Sequence, residues 1–207
     1  MEDLVLTPEQ LDVLKEIGNI GGCNAATALS QLLDKRVSVR VPEVKLLAFN
    51  ELKDSDFMLK PEEINISVSL KILGNLEGGI LVLYPKRSAL LMVDILTQRK
   101  IDSIESFTVM DESAIMESSH ILCCAYLNAI GDLLGLYRLV PYLTQTMVDK
   151  IDKLSKVLIQ RFMGQDMRYI LPIQNHILIE DIGLDIFVIF LLNWESLKKI
   201  LKIVGYE

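Results

Sequence analysis

A pattern of polar residues at helical spacing occurs twice in this chain, 101 positions apart. Asp12, Glu16 and Asn19 in the first copy align with Ser113, Glu117 and His120 in the second. Around them Ile20 meets Ile121, Cys23 meets Cys124, Ala28 meets Ala129, and Leu32-Leu33 meets Leu133-Leu134. A chain that repeats itself at such an interval folds as two like units. Positions i, i+4 and i+7 fall within about 60° of one another on a helix, so each polar set shares one face.

The stretches between the repeats fit this reading. Thr7-Pro8-Glu9-Gln10 is a helix start: a capping hydroxyl, a proline in the first turn, then an acid and an amide near the positive helix end. The pattern predicts a helix to about Leu33. Its back face is Leu14, Ile17, Gly21, Ala25, Ala28 and Leu32; its front face is Asp12, Glu16, Asn19, Cys23 and Ser30. Gly18, Gly21, Gly22, Ala25 and Ala26 lower helix propensity but let another backbone approach, in the core or from a partner. Alternation predicts strands over Val37 to Val44, with Pro42 marking an edge or bulge, and over Ile64 to Leu73. A Gly74-Asn75 turn leads to a strand from Gly79 to Tyr84, then a helix from Arg87 to Thr97.

The order then restarts. A long helix opens at Met110-Asp111-Glu112-Ser113 and stops at Gly135. Strands are expected from Leu139 to Met147, Met167 to Ile179 and Leu184 to Leu192, with helices over Val148 to Phe162 and Trp194 to Val204. The expected class is α+β: a duplicated α-β-β-β-α unit with pseudo-twofold symmetry. One continuous, mostly antiparallel sheet would carry the two motif helices as a related pair. No linker rich in Pro, Gly or Ser divides the halves. One domain over residues 1–207 is therefore expected, with halves at about 7–98 and 109–205 and a hinge at Gln98 to Thr108.

Composition narrows the function. A net charge of −7 argues against an electrostatic nucleic-acid binder. No apolar run reaches the roughly 18 residues of a membrane span, and the N-terminus lacks the basic start of a signal peptide. Three cysteines, two of them adjacent at Cys123-Cys124, suggest reduced thiols and a cytoplasmic setting. Those two are expected in the core, and His176 is expected to be structural.

An acid and an amide on a solvated helix are ordinarily a wetted surface and nothing more. Here the pattern is duplicated, it sits beside glycine and alanine where a surface helix favours Lys, Glu or Gln, and the helical periodicity runs on through Asn19. An amide can hold a water by donating and accepting at once. A Glu one turn away can bridge to a lysine on a partner. The sequence offers no metal cluster, no phosphate-cradling loop and no nucleophile–base pair. These residues would therefore complete an active site contributed largely by another protein.

Glu16-Ile-Gly-Asn19-Ile-Gly-Gly-Cys-Asn24-Ala-Ala-Thr-Ala-Leu29 closely resembles the signature of the CheC/CheX/FliY family of chemotaxis phosphatases, in particular its CheC branch. The stretch from Met110 to Gly135 resembles the family's second motif helix, and Gly74-Asn-Leu-Glu77-Gly78-Gly its central hairpin. The resemblance spans nearly the whole chain, whose length fits CheC; a FliY would carry a further C-terminal domain.

The resemblance implies hydrolysis of the aspartyl phosphate of the response regulator CheY. It implies that Glu16 pairs with the regulator's lysine, that Asn19 aligns the water, and that Asp12 lies at the rim. The Mg²⁺ would belong to the regulator, with no cofactor held by this chain. The family motif is Asp/Ser-x3-Glu-x2-Asn. Ser113 and Glu117 satisfy it, but His120 replaces the amide and Ser119 the preceding glycine. Site two is therefore expected to be impaired. A plain surface role is the alternative for His120, and metal ligation is not expected. The resemblance also implies a complex with the deamidase CheD, with Asp149 at the start of an extra helix as the contact. The alternative function is a CheD-binding adaptor with weak or no catalysis; a structural subunit near the flagellar switch is a third.

Overall fold

The computed structural model describes residues 7–44, 47–48, 64–100, 108–136, 138–150 and 167–203. Its two longest helices, α1 (Pro8–Leu33) and α3 (Val109–Leu134), are each 26 residues long. They begin with the same device. The Thr7 hydroxyl accepts from the Gln10 N–H at 3.3 Å, and the Gln10 side chain accepts from the Thr7 N–H at 2.9 Å. Thr108 and Asp111 repeat this box at 3.3 and 2.9 Å. Each box satisfies N–H groups that a helix start leaves without intrahelical partners. Both helices also end on a left-handed residue, Asp34 and Gly135. The repeat read from the sequence is thus reproduced from cap to cap.

Between and after these helices run β1 (Val37–Val44), β2 (Leu47–Ala48), β3 (Ile64–Leu73), β4 (Gly78–Pro85), α2 (Lys86–Leu96), β5 (Val140–Lys150), β6 (Met167–Ile179), β7 (Ile182–Asn193) and α4 (Trp194–Ile203). One antiparallel sheet has the order β1-β6-β7-β4-β3-β5, with β2 also on β6. This order is symmetric about the β4–β7 junction, where Val82 pairs with Val188. Each half sends its first strand to the other: β1 pairs with β6, and β5 with β3. The pairing at both sheet ends therefore needs residues from both halves. Pro42 sits where β1 shifts register, between Arg40 and Glu43, on an edge strand as its missing N–H requires.

Alternate residues of the inner strands, among them Val68, Leu70, Val82, Ile173, Ile186 and Val188, form one apolar core with Leu14, Ile17, Leu122 and Leu127 of the motif helices. Leu81, Leu83, Ile189 and Leu191, of opposite parity, are buried as well. β4 and β7 are therefore covered on both faces, which explains their nearly unbroken apolar sequences.

The small-residue stripe of α1 is spent inside the molecule. Gly18, Gly21, Gly22, Ala25 and Ala26 are all buried, and Gly21 lies against the ring of Tyr126 on α3. The back face is otherwise as expected, except that Leu32 stays 40% exposed. Ser30, expected on the front face, is half-buried and donates to the Lys35 carbonyl at the helix end.

The Gln98–Thr108 segment is described only at its ends. Arg99 reaches from the end of the first half to Asp111 at the start of the second, 2.9 Å away. Burial pushes the Asp111 carboxyl upward, but bonds from the Thr108 backbone and hydroxyl, together with the Arg99 guanidinium, outweigh it and hold its pKa below the ordinary value. A lowered folded pKa gives stability that is present above about pH 4 and lost as pH falls through the folded value. Asp111→Asn should therefore unfold at lower urea than wild type at pH 7. The gap should narrow below about pH 4, as measured by urea titrations across pH. A gap independent of pH would mean that the carboxylate charge contributes nothing.

One expected element is corrected. Residues Val148–Lys150 finish β5 and pair with Ile64–Ile66, so no helix starts at Val148. The remainder of that expected helix, to Phe162, lies outside the described residues.

Candidate functional site

Leu14, Ile17 and Gly18 turn inward on α1, and this orientation leaves Asp12, Glu16 and Asn19 exposed together on its outer face. Asp12 pairs with Lys15 at 3.2 Å. That contact is solvated and worth at most a few tenths of a kcal/mol. Among the described residues neither the Glu16 carboxylate nor the Asn19 amide makes a hydrogen bond. Both are held at fixed positions by a capped, core-anchored helix, and both are open to an incoming molecule.

The second set occupies the same positions on α3. Ser113 and Glu117 are exposed, but the Ser113 hydroxyl is turned back on its own helix, donating to the Val109 carbonyl at 3.0 Å. His120 is half-buried, its Nε2 lying 3.3 Å from the Pro141 carbonyl at the start of β5. A carbonyl only accepts, so this contact selects the Nε2–H tautomer and ties the ring to the sheet edge. The ring is therefore already in use.

Ser119, which stands where the first motif has Gly18, is turned inward. It is fully buried, donating to the Ile115 carbonyl at 2.7 Å and meeting the Tyr84 phenol at 2.9 Å. Burial lifts that phenol to about 12, against the Ser119 and Ser118 hydroxyls, which lower it. The glycine-to-serine change thus leaves the outer surface of site two unaltered.

Asp149 lies within β5, in register with Asn65, and not at a helix start. His176 is exposed and faces Asp185 across the β6–β7 pair at 2.9 Å, a structural placement. Among the described residues no group of three or more His, Cys, Asp or Glu could hold a metal, and no helix is long and apolar enough to cross a membrane.

The adjacent cysteines divide. Cys123 is fully buried and its thiol is pushed well up by burial, with a smaller effect from Cys124. Cys124 is half-buried and its thiol is raised by burial and then by the Glu117 charge. Cys23 is exposed. Thiolate is the reactive form, so alkylation followed by mass spectrometry should label Cys23 first, Cys124 more slowly and Cys123 only on unfolding. Early labelling of Cys123 would contradict this packing.

An open groove not anticipated from the sequence runs between the motif helices, with a volume of about 350 Å³. Asn24, Thr27 and Gln31 line it from α1, and Ile121, Cys124 and Asn128 from α3. Each residue alone looks like ordinary helix surface, and only the pairing of the helices forms the groove.

Comparison with known proteins agrees with the resemblance read from the sequence. Residues 9–46, which contain all of α1 beyond its first residue, match the model of the CheC-like family. The chain is 36% identical over 137 residues to the CheY-P phosphatase CheC of Bacillus subtilis, a match covering 64% of this chain and 65% of that relative. The aligned region thus spans under two thirds of the relative's length. The fold is shared with FliY of Thermotoga maritima, at a TM-score of 0.77 and 20% identity, covering 97% of this chain and 98% of that one. It is also shared with the FliM middle domain of H. pylori, at a TM-score of 0.69 and 13% identity, covering 96% and 99%. Chains of different names share this architecture, so function must be argued from the site.

Proposed function

We propose that the chain is a phosphatase acting on the aspartyl phosphate of a CheY-type response regulator, working through Glu16 and Asn19. The observation that carries this reading is the exposure of those two side chains, three positions apart, on the outer face of a helix whose inner face, with Leu14, Ile17, Gly21 and Ala25, is buried. The 36% identity to a protein named as a CheY-P phosphatase supports the substrate class.

In this reading the regulator brings the acyl phosphate, the Mg²⁺ and a lysine. Glu16 accepts from that lysine and sets the pose. Asn19 donates to and accepts from one water and holds it in line with the phosphorus–oxygen bond to be broken. An acyl phosphate is a reactive bond, so alignment of the nucleophile can supply much of the acceleration without an acid, a base or a metal from this chain. Asp12 contributes negative charge at the rim.

The test is phosphate loss from the labelled, phosphorylated regulator with and without the protein. Wild type should exceed the regulator's own decay. Glu16→Lys should lower kcat/KM by about 100-fold, since it sets like charge against the lysine and leaves that lysine unpaired. A wild type that adds nothing to spontaneous decay refutes the reading.

A further inference from the structure

The outer face of α3 keeps the docking half of site one and lacks the hydrolytic half. Equivalence of the two helices is exact in register: the caps Thr7 and Thr108 differ by the same 101 positions as Glu16 and Glu117. A rigid partner able to reach Glu16 therefore finds the same backbone frame around Glu117, with that carboxylate also exposed. Of the two changes in the second motif, the serine at 119 is hidden beneath the helix against Tyr84. The histidine at 120 is drawn down onto the Pro141 carbonyl. The serine presents nothing to a partner, the histidine ring is tied to the sheet edge, and neither supplies an amide able to hold the attacking water.

The entrance differs as well. At the N-terminal end of α1 stand Pro8 and Glu9; at the matching positions of α3 stand Val109 and Met110, which are 81% and 69% exposed. These two neighbouring apolar side chains are free to be covered by a docked partner. They add apolar burial where the first site offers a charge.

We infer that site two binds the phosphorylated regulator without hydrolysing it, with Glu117 taking the regulator's lysine and Val109 and Met110 packing at the rim. The inference rests on the reading of site one as a regulator phosphatase. One chain would then hold two regulators, releasing phosphate from one and keeping the other phosphorylated.

Calorimetric titration with the regulator, activated by beryllofluoride and Mg²⁺ as a stable stand-in for the phosphoryl group, tests this. Wild type should bind two equivalents. Glu16→Lys should bind one while losing hydrolysis, and Glu16→Lys with Glu117→Lys should bind none. All the altered side chains are exposed, and matched thermal melts confirm folding. Loss of all binding in Glu16→Lys overturns the inference, because no second site then exists. Hydrolysis that survives in Glu16→Lys and disappears only in the double variant also overturns it, because site two is then the catalyst. A wild type without phosphatase activity is a different result, refuting the reading of site one itself.

Discussion

Asn19→Ala is expected to lower the turnover of regulator phosphate by about 100-fold, the effect of a nucleophile misplaced by about an ångström. That corresponds to about 2.7 kcal/mol of barrier. The amide acts on the water alone in this reading, so the loss should fall on kcat while binding of the beryllofluoride-activated regulator is retained. Stability offers no rival explanation. Asn19 is exposed, and alanine at an exposed helical position raises helix propensity by up to about 0.7 kcal/mol, so the variant should melt no lower than wild type. His120→Ala in the same assay should leave hydrolysis unaltered within error. The reverse result, with Asn19→Ala harmless and His120→Ala damaging, would transfer catalysis to α3 and refute the assignment.

Gly21→Ala should destabilise the fold by about 2 kcal/mol, opposite in sign to what helix propensity alone predicts. Replacing a helical glycine with alanine ordinarily gains about 1 kcal/mol. Here the new methyl would stand 2.2 Å from Cδ1 and 2.4 Å from Cε1 of Tyr126, far inside contact distance. The ring cannot swing aside freely. Tyr126 is fully buried, its hydroxyl donates to the Asn175 carbonyl oxygen, and the Asn175 amide donates to the Ile173 carbonyl at 3.1 Å. Phe190 packs on the ring at a centroid distance of 6.0 Å. Relief must come from parting α1 and α3, an overpacking cost of about 3 kcal/mol that exceeds the propensity gain. For a chain of this size the melting temperature should fall by about 4–8 °C. A higher melting temperature for Gly21→Ala would show that the helices separate easily.

These two residues mark where the sequence is legible and where it stops. Asn19 could be singled out in one dimension, because its spacing from Glu16, the duplication of the pattern and its family resemblance are all linear features. Gly21 could be recognised only as one of a stripe of small residues. Whether that stripe served a partner or the core depended on Tyr126, 105 positions away, and the structure assigns it to the core. The start of α1 and the end of α3 were readable for the same local reason, since Thr7 and Gly135 act within a few residues of themselves, whereas the cap at Thr108 came only with the structure. The helix expected at Val148 failed because Val148-Asp149-Lys150-Ile151 has passable helical spacing, whereas pairing with β3 holds its first three residues extended. Pairing with a distant strand overrides local propensity, and nothing near Val148 announces β3 as the neighbour.

By itself the sequence determined the duplication, the cap at Thr7 and the stop at Gly135, most strand and helix bounds, and the shared helix face of Asp12, Glu16 and Asn19. Each depends on periodicity or on a hydrogen bond between near neighbours. The tertiary structure alone decided the exchange of β1 and β5 between halves, the burial of Ser119, the capture of His120 by Pro141 and the groove between the motif helices. All of these depend on which distant segments lie side by side, and burial of the shared apolar core, not local preference, selects that arrangement.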